Sequence, residues 1–126
     1  MSKPFSIKER IKSFRYAFQG IGTLLKEEHN FRVHLVASIL VVTVGILLNV
    51  SDQDWCWLLL CIGLVFTAEA FNTAIEKLTD LKQPEQDPKA GKIKDIAAGA
   101  VLLTAAMALA IGLIIFWPYL QKLVAD

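Results

Sequence analysis

Three carboxylates and an amide recur along one side of the stretch AEAFNTAIEKLTD, Ala68 to Asp80. On a helix turning about 100° per residue, Glu69, Glu76 and Asp80 fall within about 20° of one line, flanked by Asn72 and Thr73. At a rise of about 1.5 Å per residue, Glu76 stands roughly 10 Å and Asp80 roughly 16 Å along the axis from Glu69. Acids graded in this way can hold a hard cation or orient and deprotonate a hydroxyl. The same spacing also suits a hydrogen bond between packed helices or a solvated helix end, and for Asp80 alone solvation accounts for the residue equally well.

Two further groups belong to the same chemistry. Glu27 and Glu28 occur in LLKEEHNFR, where oxygen ligands from a second helix would suit Mg²⁺, an ion that keeps waters and phosphate oxygens in its shell. One of the two reads as a solvated helix-end charge. GKIKDIAAGAV, Gly91 to Val101, supplies Lys94 and Asp95 ahead of a lane of small residues, Ala97 to Ala100. Asp95 reads either as a helix N-cap or as part of the polar cluster, and the small residues suit close helix packing in lipid. Together, carboxylates, lysines and a close-packing lane suit an anionic, metal-bound ligand at a membrane surface.

The elements that must position these residues are membrane spans. The 126-residue chain is 55% hydrophobic and its mean hydropathy is +0.49, too apolar for a water-soluble domain of this length. The expected fold is all-α integral membrane, a single domain over residues 1–126. It comprises an N-terminal amphipathic surface helix over about 5–28 and three transmembrane helices over about 32–51, 55–79 and 95–117. Ile7, Ile11, Phe14, Phe18, Ile21 and Leu25 give the first helix its apolar side, so it lies on the bilayer surface or against other protein. The uncharged part of the second span, residues 55–68, is too short alone, and the span therefore continues through the acidic stretch. Pro118 is expected to stop the third, with Trp117 and Tyr119 at an interface.

Charge sets the orientation. Seven basic residues precede the first span and five lie between the second and third, whereas the connection SDQD carries none and the C-terminus only Lys122. The N-terminus and the 77–95 loop are thus expected in the cytoplasm and the C-terminus outside. The N-terminal segment lacks the apolar core and cleavage site of a signal peptide and is expected to remain in the mature chain. Cys56 and Cys61 lie on different helix faces and read as packing residues. A net charge of +1 without basic-aromatic clusters gives no reason to expect a nucleic-acid partner.

The residues E-A-F-N-T-A-I-E-K-L-T-D followed by K-D-I-A-A-G-A-V resemble the signature of the prokaryotic diacylglycerol kinase family, small three-span lipid kinases that include undecaprenol kinases. The resemblance covers nearly the whole chain. It implies transfer of the ATP γ-phosphate to a lipid alcohol, diacylglycerol or undecaprenol, in a bacterial inner membrane, with Mg²⁺ as cofactor. Carried over by position, Glu69 is the catalytic base, and Glu28 and Glu76 bind the magnesium. Arg10, Tyr16, Glu28, Asn72, Glu76, Glu85, Asp87, Lys94 and Asp95 are implied at the nucleotide, Glu9 competing for the place of Arg10. Phe31, Val50, Trp55, Glu69 and Ala98 are implied along the lipid. The family is homotrimeric, with sites assembled between subunits. Where its members often carry a histidine in the loop, this chain has Asp87. No phosphate-cradling G-x-x-x-x-G-K-[ST] loop occurs.

Two other functions fit the bare pattern. A small ion- or proton-coupled transporter would also bury acids in a span, but here the acids gather towards one end. A non-catalytic membrane anchor would use the amphipathic helix and leave the polar stripe without purpose.

Overall fold

The structure, a computed structural model, describes residues 2–126 and contains four helices and no strand among them: α1 (Ile7–Glu27), α2 (His29–Leu47), α3 (Asp52–Lys82) and α4 (Pro88–Ala125). The last three are long and apolar enough to cross a membrane. At about 1.5 Å per residue α2 is roughly 28 Å long, close to a hydrocarbon core, whereas α3 at roughly 46 Å and α4 at roughly 57 Å reach beyond one. The acidic end of α3 therefore has room to leave the bilayer.

Local chemistry sets the helix ends. The Ser6 hydroxyl accepts the Glu9 amide at 3.4 Å and caps α1. Glu28 alone separates α1 from α2, its backbone extended at φ −109° and ψ 110°. The end of α2 is a Schellman motif. Asn49 takes a left-handed φ of 52°, and the Asn49 and Val50 amides donate back to the Ile46 and Gly45 carbonyls at 3.1 and 3.2 Å. This turns Val50 inward, where it is buried with Leu58 and Ile115. Beside it Gly45 faces the Trp55 indole closely enough that a Cβ there would stand 2.6 Å from Trp55 Cη2.

α3 is the central element, packed on α4 most extensively and on α2 less so, with α1 resting against α2. Its buried residues are Leu58, Cys61, Val65, Glu69, Asn72 and Thr73, a single stripe at helical spacing that changes from apolar to polar along its length. α1 buries nothing, and its apolar residues Ile7, Ile11, Phe14 and Phe18 stay exposed. That is the surface an interfacial helix presents to lipid.

Two expectations about α4 need correction. Pro118 does not stop the helix, which runs on to Ala125. The Tyr119 hydroxyl donates to Asp54 Oδ2 at 2.6 Å and accepts the Ser51 amide at 3.0 Å, while Ile115, Phe116 and Tyr119 pack around the Val50 cluster. These contacts hold the helix across a proline that forfeits one backbone bond. Nor is Asp95 an N-cap: α4 begins two turns earlier, where Asp87 Oδ1 accepts the Lys89 and Ala90 amides at 2.8 and 3.2 Å and Pro88 occupies the first turn. Both cysteines are free.

Candidate active site

Glu69 is the deepest acid, 2% exposed, and its neighbours Asn72 and Thr73 are 6% and 4% exposed. A carboxylate inside a span costs several kcal/mol unless a partner or a polar cavity receives it. The partner comes from α2: His34 Nε2 lies 3.6 Å from Glu69 Oε2. The carboxylates of Glu28 and Glu76 are within electrostatic reach of the same group. Asn72 Oδ1 and Thr73 Oγ1 are buried with no hydrogen-bond partner among the described residues, and buried polar atoms normally have one.

The mouth of the site is ionic. Lys77 Nζ bonds to Glu27 Oε2 at 2.8 Å and stands 3.9 Å from Glu28 Oε1. This brings the α1–α2 corner against α3 at the level of Glu76. Glu27 remains solvent-exposed but is ion-paired, and Lys77 holds its carboxyl below the usual range, first through the hydrogen bond and then through its charge. Lys94 pairs with Asp80, closing the end of α3 against the start of α4.

Not every expected residue joins this cluster. Arg10 and Tyr16 stay exposed on α1, and Glu85, Asp95 and Ala98 are also exposed. One oxygen of Asp87 is engaged in capping α4. Phe31 is buried, its ring 5.0 Å from that of Phe66, and Val50 and Trp55 belong to the apolar cluster at the far end of the bundle. His34 was absent from the residues singled out by sequence. Its signal was available, since a histidine within an otherwise uncharged span is itself a polar residue at depth.

Between α2, α3 and α4 runs a groove of about 530 Å³, headed by His34 and floored by Leu58, Cys61 and Val65 of the buried stripe. Almost all of its wall is apolar. The site therefore joins an apolar groove, a buried acid and a charged mouth, the combination needed by a protein that works on an amphiphile within the bilayer.

The sequence profile of prokaryotic diacylglycerol kinase matches residues 15–116. The chain is 41% identical over 109 residues to the undecaprenol kinase of Bacillus subtilis, covering 86% of this chain and 89% of that one. It is 38% identical to a diacylglycerol kinase of Synechocystis over 88% of this chain and 64% of that one. It is 29% identical to the diacylglycerol kinase of Escherichia coli K12 over 86% and 89%. The protein is a membrane lipid kinase, an enzyme of ATP-dependent phosphoryl transfer. It belongs to the prokaryotic diacylglycerol kinase family. Membership favours a kinase over the transporter and anchor readings, and the match takes in every expected site residue except Arg10.

Proposed function

We propose that this kinase transfers the γ-phosphate of ATP to the primary hydroxyl of undecaprenol, with Glu69 as the general base. The observation that carries the base assignment is the burial of Glu69 at the polar end of the apolar stripe of α3, with His34 beside it. The hydroxyl oxygen forms a bond to the γ-phosphorus as the bond from that phosphorus to the β–γ bridging oxygen breaks. ADP leaves, and the hydroxyl proton passes to the Glu69 carboxylate. The unpartnered Asn72 and Thr73 oxygens beside it are free to receive donors of the bound substrates.

Glu28 and Glu76 fit a magnesium ion. They offer hard carboxylate oxygens from two elements, and Mg²⁺ takes one or two such groups together with waters and substrate phosphates. When bound, the ion neutralises developing phosphate charge. Lys94 and Asp95, on the cytoplasmic start of α4, face the nucleotide side in this reading, with Arg10, Tyr16, Glu85 and Asp87 reaching it as subunits assemble. Phe31, Val50, Trp55 and Ala98 border the lipid, whose hydroxyl reaches Glu69.

The basic residues at the N-terminus and in the 77–95 loop support a bacterial inner-membrane orientation with both on the cytoplasmic side and the C-terminus outside. The family resemblance, and the uncovered small-residue lane at Ala98 and Ala100, support assembly as a homotrimer.

Undecaprenol is favoured as acceptor by the 41% identity to the Bacillus enzyme across most of both chains. Diacylglycerol is the second reading, favoured by the Synechocystis relative at 38%. A side-by-side assay of the purified protein with Mg·ATP and undecaprenol, diacylglycerol or ceramide separates them. Undecaprenol should lead by about tenfold or more in kcat/KM, and an equal or better rate with diacylglycerol overturns the acceptor assignment.

A further inference from the structure

We infer that His34 is a positioning residue for catalysis, holding one oxygen of the Glu69 carboxylate so that the other is presented to the lipid hydroxyl; the inference rests on Glu69 acting as the base. Glu69 needs a partner because it is the most deeply buried charged side chain among the described residues. Its partner is not a lysine of the mouth, since Lys77 is bound to Glu27 and Lys94 to Asp80. Among the described residues, His34 is the basic side chain within ion-pair distance of it.

The surroundings of His34 direct it to this role. It heads the apolar groove and is the side chain of that wall able to carry a positive charge. The Ser38 hydroxyl turns back to donate to the His34 carbonyl at 2.7 Å, and the imidazole lies against Glu69. Within one turn the Phe31 ring packs at a tilt against that of Phe66 and braces α2 against α3, which fixes the helix from which His34 reaches across. The separation of 3.6 Å is slightly too long for a hydrogen bond. Catalytic contacts commonly stand a little open before substrate binds and close in the reactive complex. A bond from Nε2 to one oxygen then restrains rotation of the carboxylate and leaves the other oxygen to the hydroxyl.

The test is steady-state kinetics of His34→Ala and His34→Gln in the assembled enzyme, with and without added imidazole. In His34→Ala, kcat should fall by about 10- to 100-fold, the scale of a misplaced catalytic group, with KM for ATP unchanged. Imidazole, entering the space vacated at the head of the groove, should restore part of the rate. His34→Gln, whose amide can donate to the same oxygen, should retain more activity than His34→Ala. A parental kcat in His34→Ala, a loss carried by KM, or a loss relieved by neither imidazole nor glutamine overturns the inference. Glu69→Gln separates the two claims. If it is active, the base assignment itself fails, whereas an inactive Glu69→Gln beside a fully active His34→Ala removes only the role of His34.

Discussion

Lys77 Nζ lies 2.8 Å from Glu27 Oε2, tying the end of the surface helix to the acidic end of α3. Because Lys77 holds the Glu27 carboxyl below its usual range, the pair stabilises the docked corner above the ordinary carboxylate pKa. That contribution is lost as pH falls through the lowered value. A double-mutant cycle on thermal stability with Glu27→Gln and Lys77→Met should give favourable coupling at neutral pH. The coupling should weaken as pH falls below the ordinary carboxylate range, and fade in salt of about 1 M. Coupling that ignores both pH and salt would show that the ion pair is not the tie.

The far end of the bundle has its own fastening. Tyr119→Phe removes the hydroxyl that joins Asp54 and the Ser51 amide to α4. The expected loss is about 1–2 kcal/mol in reversible unfolding in mixed micelles. An unchanged midpoint would mean that apolar packing alone carries α4 past Pro118.

Gly45 is a packing requirement. A methyl group at this position would meet the Trp55 indole at 2.6 Å, so Gly45→Ala must displace the ring or part α2 from α3. Destabilisation of about 1–3 kcal/mol is expected, together with a shifted indole emission. A silent substitution would argue against the close approach of these two helices.

Glu76→Gln leaves the mouth one carboxylate short. The apparent KM for Mg·ATP should rise by about tenfold or more, and the free magnesium needed for half-maximal rate should rise with it. Unchanged values for both would remove Glu76 from the metal site.

The parts of this architecture governed by periodicity were legible in the sequence. Hydropathy and charge delimit three spans and a surface helix, and the spacing of Glu69, Asn72 and Glu76 puts them on one side of α3, where Glu69 and Asn72 prove to be buried. What escaped depends on residues distant in sequence. Tyr119 steadies the helix beyond Pro118 by reaching Asp54, 65 positions away. His34 is visible as a lone polar residue in its span, but its pairing with Glu69 on another helix is not. Val50 is turned inward by the left-handed Asn49, although an asparagine at a helix end was there to be read. Asp87, placed by resemblance at the nucleotide, has one carboxylate oxygen in the capping of α4.

The central claim is that a buried acid on α3 deprotonates a lipid alcohol. Its most direct test is single-turnover phosphorylation of undecaprenol by Glu69→Gln with saturating Mg·ATP, alongside a measurement of nucleotide binding. The account predicts a rate lower by about a thousandfold, within the range expected for a lost general base, with nucleotide affinity nearly unchanged. A Glu69→Gln enzyme that phosphorylates the lipid at the parental rate would contradict it.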